Sequence, residues 1–367
     1  MKKHHFSKIF VLTAVCAAAH AYADGPSVYA LVDGGIASSK ISGGTTASKS
    51  EFVTGGVAPT FVGFGFDKTI DGLTVGLKLE QGFTLNSNSG NYYAFGNGDV
   101  LNRQKNIFIK GSSGSVVLGV QPNIAFSAVL NGDPRGASNF GSSIVLINGN
   151  GGLGTVDNAS LSYSSPSLSG LSIAAQYVPQ TKEATSSSPY NNGEIKTGSR
   201  YLVTYAKDAF SAGLAGYSNK LINAPGGTVG ADLDLNGTIA YVTYKVGDLT
   251  LKGITSSQKS PTFTKALNTT GFGGSYAING KTSVDLGVYT AKSDLNSFKL
   301  DVTGVGVYYD ITKQLKFYTQ YAVTDNKSGA GAAAAGWSYS GPSLMPGTIS
   351  GGQKADVLNV GLIYSYF

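Results

Sequence analysis

The sequence predicts an all-β fold, a 16-stranded antiparallel β-barrel that spans a membrane. Three observations support this prediction. Apolar and polar residues alternate along most of the chain, with no sustained helical period. Short turns alternate with long polar loops, so that seven turns and eight loops join sixteen strands. Glycine, at 51 of 367 residues, is about twice its usual share, and charged residues, at 13%, are about half of theirs.

The segments that join the predicted strands fall into two classes. Most of the tight turns contain glycine, asparagine, aspartate or serine, and Asn279-Gly280 is the strongest hairpin signal. Tight turns are predicted at residues 71–72, 112–115, 165–169, 207–209, 246–248, 279–280 and 312–313. Long loops are predicted at residues 39–54, 86–100, 122–157, 182–198, 221–236, 259–268, 292–300 and 326–355. Both chain ends then lie on the short-turn side, which faces the periplasm in outer-membrane barrels, while the long loops are extracellular.

The polar faces of the strands distinguish a soluble sheet protein from a membrane barrel. A soluble sandwich would bury both inner faces in a filled core, where unpaired charges are costly. Apolar-out, polar-in strands with short turns at one end and long loops at the other are typical of a water-filled barrel in lipid. Sixteen strands leave an aqueous channel, and closure pairs every strand edge. The charges predicted to face the interior are those of Asp33, Lys78, Glu80, Lys252, Asp285 and Lys316.

The first 23 residues have the three parts of a secretory signal peptide. A basic region with three lysines precedes an apolar stretch at residues 9–19 and a small-residue cleavage site at 21–23 (AYA). The predicted organisation is a cleaved signal peptide, 1–23, followed by the barrel, 24–367. Removal of three lysines from a formal charge of +6 leaves +3, which is too small and too dispersed to indicate nucleic-acid binding.

All three histidines and the single cysteine lie in the predicted signal peptide. The mature chain would therefore lack the residues for Ser-His-Asp or Cys-His catalysis, for histidine- or thiolate-bound metals and for disulfides. The carboxylates are scattered singly along the chain, so no pattern supports hydrolysis by paired carboxylates. We therefore predict a protein that is not an enzyme and that needs no cofactor.

Several short segments, in order along the chain, carry a family resemblance. They are residues 27–35 (SVYALVDGG), 79–83 (LEQGF), 101–104 (LNRQ), 118–121 (LGVQ), 160–166 (SLSYSSP) and 359–362 (NVGL), followed by the C-terminal Phe367. With these segments the chain resembles the trimeric general porins of Gram-negative outer membranes, most closely the 16-stranded β-proteobacterial branch. The resemblance implies passive diffusion of small hydrophilic solutes and ions through a water-filled channel.

The resemblance also implies an assembly and a set of partners. These are a homotrimer, outer-membrane lipid and lipopolysaccharide, and the barrel-assembly machinery, which would read Phe367 as a signal. The second loop, 86–100, would reach over the neighbouring subunit, and the third loop, 122–157, would fold inward and narrow the pore. Within the third loop, Asp133 and Arg135 form a turn-like charged spot that is expected near the constriction, with an exposed turn as the alternative.

The charges expected around the pore predict weak ion selectivity with a slight preference for anions. Family members often carry basic residues at positions that here are Phe61, Val120 and Ser162, so part of a cationic wall is missing. The six interior charges named above, together with Asp133 and Arg135, include both signs. Strong selectivity of either sign would therefore count against this prediction.

Two positions conflict with strict alternation. Counting back from Ile107 and Ile109 puts Arg103 and Lys105 on the outer face. There they would meet lipopolysaccharide phosphates at the rim, unless a bulge turns them into the pore. In the last strand, the outward register of alternate residues leaves Phe367 on the opposite parity. The sequence leaves both positions open.

Other functions also remain open at the sequence level. Asp232, Asp234 and Asn236 match the first half of a calcium loop, but its twelfth position is Thr243 rather than a bidentate glutamate. A solvated loop that leads into a strand is the alternative. A substrate-specific channel for sugars or dicarboxylates would differ from a general pore by having a saturable site. A surface adhesin or phage receptor would act through the outer loops, particularly residues 326–355.

Overall fold

The computed structural model describes most of the chain from residue 24 to the C-terminal residue. The described residues are 24–42, 48–85, 100–150, 153–179, 194–222, 232–259, 265–328, 332–333 and 348–367. The predicted signal peptide, nearly all of the second loop and most of the loop at 326–355 lie outside them. No helix within the described ranges is long and apolar enough to cross a membrane.

Nineteen strands lie within the described residues. They are β1 (Gly25–Ser42), β2 (Lys49–Thr54), β3 (Phe61–Ile70), β4 (Leu73–Gly82), β5 (Lys105–Gly111), β6 (Gly114–Pro122), β7 (Val156–Ser164), β8 (Leu171–Val178), β9 (Glu194–Lys207), β10 (Phe210–Ile222), β11 (Asp232–Val246), β12 (Leu249–Lys259), β13 (Leu267–Ala277), β14 (Thr282–Ser293), β15 (Phe298–Asp310), β16 (Leu315–Asn326), β17 (Ala332–Ala333), β18 (Thr348–Ile349) and β19 (Lys354–Tyr366). The helical elements are α1 (Phe126–Gly132), a π-helical segment (Val145–Asn150) and a 3₁₀ turn (Leu295–Ser297).

Seventeen of these strands form one antiparallel sheet that closes on itself. Strand β1 pairs with β19, from Ala30 opposite Tyr366 to Ser42 opposite Lys354. Along its other edge β1 pairs with both β2 and β3, which are two parts of one barrel strand interrupted at residues 55–60. The barrel therefore has sixteen strands, and the predicted fold class is confirmed.

Side chains alternate between the two faces of the sheet, as the sequence predicted. In β5, Ile107 and Ile109 are 57% and 48% exposed, whereas Phe108 between them is 3% exposed. In β19, Leu358 is exposed while the neighbouring Asn359 is buried. Alternation of this kind gives the barrel an apolar outer surface for lipid and a more polar interior.

The C-terminal residue lies beyond the last strand. The outward register of β19 is confirmed, because Leu362, Tyr364 and Tyr366 are all exposed and Ile363 is buried. Strand β19 ends at Tyr366, and the exposed Phe367 follows it. Strand parity therefore does not constrain Phe367, and the conflict noted in the sequence disappears.

The short turns lie where the sequence predicted them. Asp71 and Gly72 join β3 to β4 with φ angles of 50° and 81°, which suit a two-residue hairpin turn. The hairpin at Asn279 is present, but its predicted two-residue form is wrong. Its turn contains four residues, and the Asn279 side-chain oxygen accepts the N–H groups of Lys281 and Thr282 over 2.8 and 2.9 Å. Such an Asx turn needs no residue with positive φ.

The third loop lies inside the barrel, where the resemblance implied it would be. Helix α1 packs on β10, β11 and β12, and Val129 shares an apolar cluster with Tyr241 on the inner wall. Farther along the loop, Phe140 and Leu146 join a second cluster with interior residues of β13–β16 and β19. The loop is thus attached to the wall by apolar contacts on two sides.

Candidate functional site

The base of the third loop is fixed where the loop leaves and rejoins the wall. The N–H of Asn123 donates to the carbonyl of Thr155 over 3.0 Å, so the two ends of the loop meet. Beside them Arg200 Nη2 donates to Asp157 Oδ1 over 2.6 Å, and both side chains are buried. The sequence did not predict this ion pair, because Asp157 was assigned to the loop and Arg200 stands in no motif.

Helix α1 fits closely against β11. A Cβ atom at Gly132 would lie 2.3 Å from the Cβ of Tyr241, so any larger residue there would push the helix off the wall. On the preceding residue, the Asn131 carbonyl accepts a hydrogen bond from the Thr243 hydroxyl over 3.2 Å. Glycine at the end of the helix is therefore needed for this close approach.

Asp133 organises the turn that follows α1. One carboxylate oxygen accepts the N–H of Arg135 over 2.7 Å and the hydroxyl of Tyr289 over 3.1 Å. The other accepts the N–H of Ser143 over 2.7 Å. Asp133 is fully buried, so its charge is satisfied by protein donors and does not face water.

Arg135 anchors the third loop to the opposite part of the wall. Its Nε donates to Asp285 Oδ1 over 2.8 Å, and its Nη2 donates to Gln320 Oε1 over 3.0 Å. Its Nη1 donates to the carbonyls of Phe140 and Gly141 within the loop. One side chain therefore links the loop to β14, to β16 and to itself.

The structure revises the role that the sequence assigned to this turn. Asp133 and Arg135 lie in the third loop inside the barrel, where both are buried and neither is an exposed turn residue. Burial lowers the pKa of Arg135, but the nearby Asp285 carboxylate opposes this effect, so the pKa is raised overall. We therefore describe Asp133, Arg135 and Asp285 as anchors of the loop rather than as charges that contact passing ions.

Asp33 holds a second inward-projecting segment, the interruption at residues 55–60 between β2 and β3. Asp33 Oδ2 accepts the N–H groups of Val57 and Ala58 over 2.7 and 2.8 Å, and Oδ1 accepts the Tyr318 hydroxyl over 2.8 Å. Asn139 of the third loop donates to the carbonyl of Gly55 over 2.5 Å. Asp33 is thus interior, as predicted, and it stabilises the segment that the loop contacts.

Glu80 and Arg103 form an ion pair inside the barrel. Arg103 Nε lies 3.1 Å from Glu80 Oε2, and its guanidinium carbon lies 4.4 Å from the centre of the Phe61 ring. Gln104 and Tyr29 donate to the other oxygen of Glu80 over 2.8 and 3.0 Å. Glu80 is therefore an interior charge, as predicted, but protein donors hydrogen-bond both of its carboxylate oxygens.

The facing of Arg103 and Lys105 is now resolved. Strand β5 begins at Lys105, so its alternation puts Lys105 outward, where it is exposed. Arg103 precedes the strand, and its backbone N–H donates to the carbonyl of Glu80 over 3.2 Å. The outward prediction is right for Lys105 and wrong for Arg103, because Arg103 lies outside the regular part of the strand.

The remaining predicted interior charges are lysines. Lys78 on β4 is partly buried, and Lys316 on β16 lies 3.4 Å from Asp310 with its side chain 27% exposed. Lys252 on β12 is 7% exposed, and within the described residues no carboxylate lies within ion-pair distance of it. Among these lysines, Lys316 is paired with a carboxylate, and Lys252 is buried on the inner wall.

A closed 16-stranded barrel with a loop packed inside it matches a known family. A family model described as Gram-negative porin matches residues 9–329. The chain belongs to the Gram-negative porin family. No match was found among the curated proteins. The protein is therefore a multi-pass protein of the Gram-negative outer membrane, and it forms a diffusion channel there.

Solved porins share the fold of this porin over nearly its whole length. The anion-selective porin from Comamonas acidovorans is 19% identical, with a TM-score of 0.75 over 93% of this chain and 99% of that chain. The trimer form of OmpT from Vibrio cholerae is 14% identical, with a TM-score of 0.65 over 94% and 100%. OmpF from Salmonella typhi, solved with daunomycin, is 15% identical, with a TM-score of 0.63 over 93% and 97%. At these low sequence identities, the structural similarity establishes the shared fold.

The segment that resembled a calcium loop is part of a strand in this porin. Strand β11 begins at Asp232, and Asp234 and Asn236 stand opposite Lys220 and Ser218 of β10. A calcium loop must curl so that successive ligands converge, whereas alternate residues of a strand point the same way along a straight ladder. Both the calcium loop and the solvated loop are therefore corrected to a strand.

Proposed function

We propose that this porin is a weakly selective general diffusion channel with a slight preference for anions. The observation that carries the proposal is that protein donors hydrogen-bond the interior carboxylates. Asp33, Glu80, Asp133 and Asp285 each accept hydrogen bonds from protein donors. These negative charges are therefore satisfied within the protein, which leaves them less able to attract cations from the channel. The porin from Comamonas acidovorans is described as anion-selective, which agrees with this direction.

Transport in this proposal involves no chemical step. Small hydrophilic solutes and ions diffuse down their gradients, and the third loop sets the narrowest section by its attachment to the inner wall. The porin fold and the absence of histidine and cysteine beyond residue 20 support a channel that is not an enzyme. A substrate-specific channel would instead show current that one class of solute blocks competitively and saturably.

Neutralising two interior lysines is expected to reduce the anion preference. In the double variant Lys78→Gln, Lys252→Gln, the ratio of chloride to potassium permeability should fall. One unit charge about 4 Å from an ion contributes about 1 kcal/mol in water, so each lysine changes the permeability of either ion by up to roughly five-fold, in opposite directions. Reversal potentials in a potassium chloride gradient measure the ratio. Lys292→Gln, on the outer face of β14, is the matched control, and an unchanged ratio in the double variant would contradict the proposal.

The porin family and the sequence resemblance support a proposal for the assembly and the partners. We infer a homotrimer, as in the trimer form of OmpT, in contact with outer-membrane lipid and lipopolysaccharide. Cleavage of a signal peptide at residues 1–23 and recognition of Phe367 by the barrel-assembly machinery belong to the same proposal. Phe367 is 59% exposed at the end of the chain, where another protein can reach it.

Deleting Phe367 is expected to impair assembly without changing the folded barrel. The residue follows the last ladder pair of β19, so the register with β1 from Ala30 to Ser42 does not include it. We expect most of the protein to be lost from the outer membrane, measured as heat-modifiable trimer in membrane fractions. Phe367→Tyr keeps a terminal aromatic ring and should assemble normally. Equal amounts of trimer with and without Phe367 would show that the residue is no assembly signal.

A further inference from the structure

A small cavity lies inside the barrel, between Arg135 of the third loop and the inner wall. Its volume is about 20 Å³, which is enough for one water-sized group. Several of its wall residues are partly exposed on the inner face, so solutes in the channel can reach it. The polar residues that line it are Arg135, Ser275, Ser283, Asp285, Tyr308 and Lys316.

The strand register brings the wall residues of the cavity together. Ser275 of β13 stands opposite Asp285 of β14. Ser283, two residues before Asp285, stands opposite Tyr308 of β15. Lys316 of β16 reaches the same place, because its Nζ lies 5.9 Å from the centre of the Tyr308 ring. Four neighbouring strands thus supply side chains to one spot on the inner wall.

The cavity lies on the side of the third loop that faces the short turns. Ser283 is the second residue of β14, and Lys316 is the second residue of β16. Both strands follow short turns, which face the periplasm in outer-membrane barrels. Because Arg135 of the loop forms another boundary of the cavity, solutes enter it from the periplasmic side.

The carboxylate in the lining is already engaged by protein donors. Asp285 Oδ1 accepts a hydrogen bond from Arg135 Nε over 2.8 Å, and Oδ2 accepts one from the Tyr308 hydroxyl over 2.8 Å. Gly306 permits this arrangement, because a Cβ atom there would lie 2.6 Å from Tyr308 Oη and 2.8 Å from Asp285 Oδ1. The charge of Asp285 is therefore compensated by Arg135.

The donors that remain for a solute are two hydroxyls and one ammonium group. Ser275 and Ser283 are both partly exposed, and within the described part of the chain neither hydroxyl has a protein partner. Lys316 Nζ lies 3.4 Å from Asp310 Oδ1, in a pair whose side chains are 27% and 47% exposed. An ammonium group has three donors, so Lys316 can bind a second acceptor beside Asp310.

The arrangement of these donors favours a phosphate group over a carboxylate. The donors come from β13, β14 and β16 and approach from different directions, as the oxygens of a tetrahedral anion require. A planar carboxylate is best matched by a free guanidinium fork. The fork of Arg135 is already engaged by Asp285, by Gln320 and by the carbonyl of Gly141.

We propose that this cavity is a binding subsite for the phosphate group of small solutes. One phosphate oxygen occupies the cavity and accepts hydrogen bonds from Ser275 and Ser283, while the other oxygens lie in the channel beside Lys316. The inference rests on the proposed anion preference of the channel and deepens it by naming the class of anion. The cavity lies between the loop and the wall, so a bound phosphate leaves the passage open and does not block the current.

Phosphorus-31 NMR of inorganic phosphate, titrated with the full trimer in a phosphate-free detergent, tests the site. The wild type should broaden the phosphate signal in a saturable way. Lys316→Gln should bind phosphate at least about ten-fold more weakly, the effect of losing one charge-assisted hydrogen bond. Lys313→Gln is the matched control. It removes an exposed lysine from the adjacent turn, outside the cavity, and should bind phosphate like the wild type.

A second variant changes binding in the opposite direction. Asp310→Asn removes the carboxylate that competes with phosphate for Lys316. It should therefore bind phosphate more tightly than the wild type, a result that a damaged barrel could not give. Equal or weaker binding by Asp310→Asn would overturn the role of Lys316.

The remaining outcomes separate the subsite from the channel. Equal binding by the wild type and Lys316→Gln, or no saturable binding by the wild type, would overturn the subsite. Displacement of phosphate by an equal concentration of acetate would overturn the preference for a tetrahedral anion. Each of these results leaves the anion preference, measured by reversal potentials, unaffected. Binding that depends on Lys316 in a channel without anion preference would confirm the subsite and contradict the proposed function.

Discussion

Replacing Arg135 by methionine is expected to lower the free energy of unfolding by about 3–5 kcal/mol and to widen the channel. The substitution removes one partner of a buried ion pair and leaves Asp285 uncompensated, and losses of this kind are of that size. It also removes the donors to Gln320 and to the carbonyls of Phe140 and Gly141. The third loop would then keep only the Tyr289–Asp133 and Ser138–Gln320 hydrogen bonds as polar side-chain contacts with β14 and β16 among the described residues.

Two measurements separate the effects of this substitution. Thermal unfolding in detergent should show a lower midpoint, and single-channel recordings in planar bilayers should show a higher and noisier conductance. Adding Asp285→Leu should recover part of the stability, because it removes the carboxylate that lost Arg135 as its partner, but it should not restore the conductance. Lys245→Met, at an exposed lysine near a short turn, is the control. Wild-type conductance and stability in the Arg135 variant would show that Arg135 does not anchor the third loop.

Replacing Asp33 by alanine is expected to cost about 3 kcal/mol or more. Three donors lose their acceptor, namely the N–H groups of Val57 and Ala58 and the hydroxyl of Tyr318. A buried polar group without a partner costs about 1–3 kcal/mol. The interruption at residues 55–60 would then lose its side-chain attachment to β1 and keep the backbone hydrogen bonds of residue 33 with Gly55 and Thr60, and the contact from Asn139 would weaken.

Hydrogen exchange locates this effect within the barrel. The amides of Val57 and Ala58 should exchange faster in the Asp33 variant, while amides of the β11–β12 ladder should be unaffected. Tyr318→Phe removes one hydrogen bond and should lower the free energy of unfolding by about 1 kcal/mol. Asp310→Ala, which breaks an exposed pair with Lys316, should change it by less than about 1 kcal/mol. Unchanged exchange at Val57 and Ala58 would show that Asp33 does not hold the segment.

The strands could be predicted from the sequence because alternation follows directly from the geometry of a ladder. The predicted facing of side chains is correct within the hydrogen-bonded part of each strand and fails just beyond its ends. Lys105 is the first residue of β5 and faces outward, whereas Arg103 lies before the strand and faces inward. Phe367 likewise follows the last ladder pair. Strand boundaries, which depend on hydrogen bonds to distant residues, are not visible in the local pattern.

The interior site could be predicted in part. Parity correctly placed Asp33, Glu80 and Asp285 inside, since facing depends on each strand alone. Their partners could not be predicted, because barrel closure and the inward loop bring them from far along the chain. The Asp33 hydrogen bond to Tyr318 joins residues 285 positions apart. The folded barrel, rather than the local sequence, therefore determines whether an interior charge contacts water or a protein partner.

Liposome swelling with sugars of graded size tests whether lipid surrounds the apolar face of the barrel while the third loop narrows a water-filled interior. For the wild-type trimer, we expect swelling with small sugars and a swelling rate that falls steeply as the sugar becomes larger. The Arg135 variant should admit larger sugars than the wild type. Absence of swelling with every sugar would show that the barrel forms no water-filled channel. The same size limit in the variant would show that Arg135 does not hold the third loop in the channel.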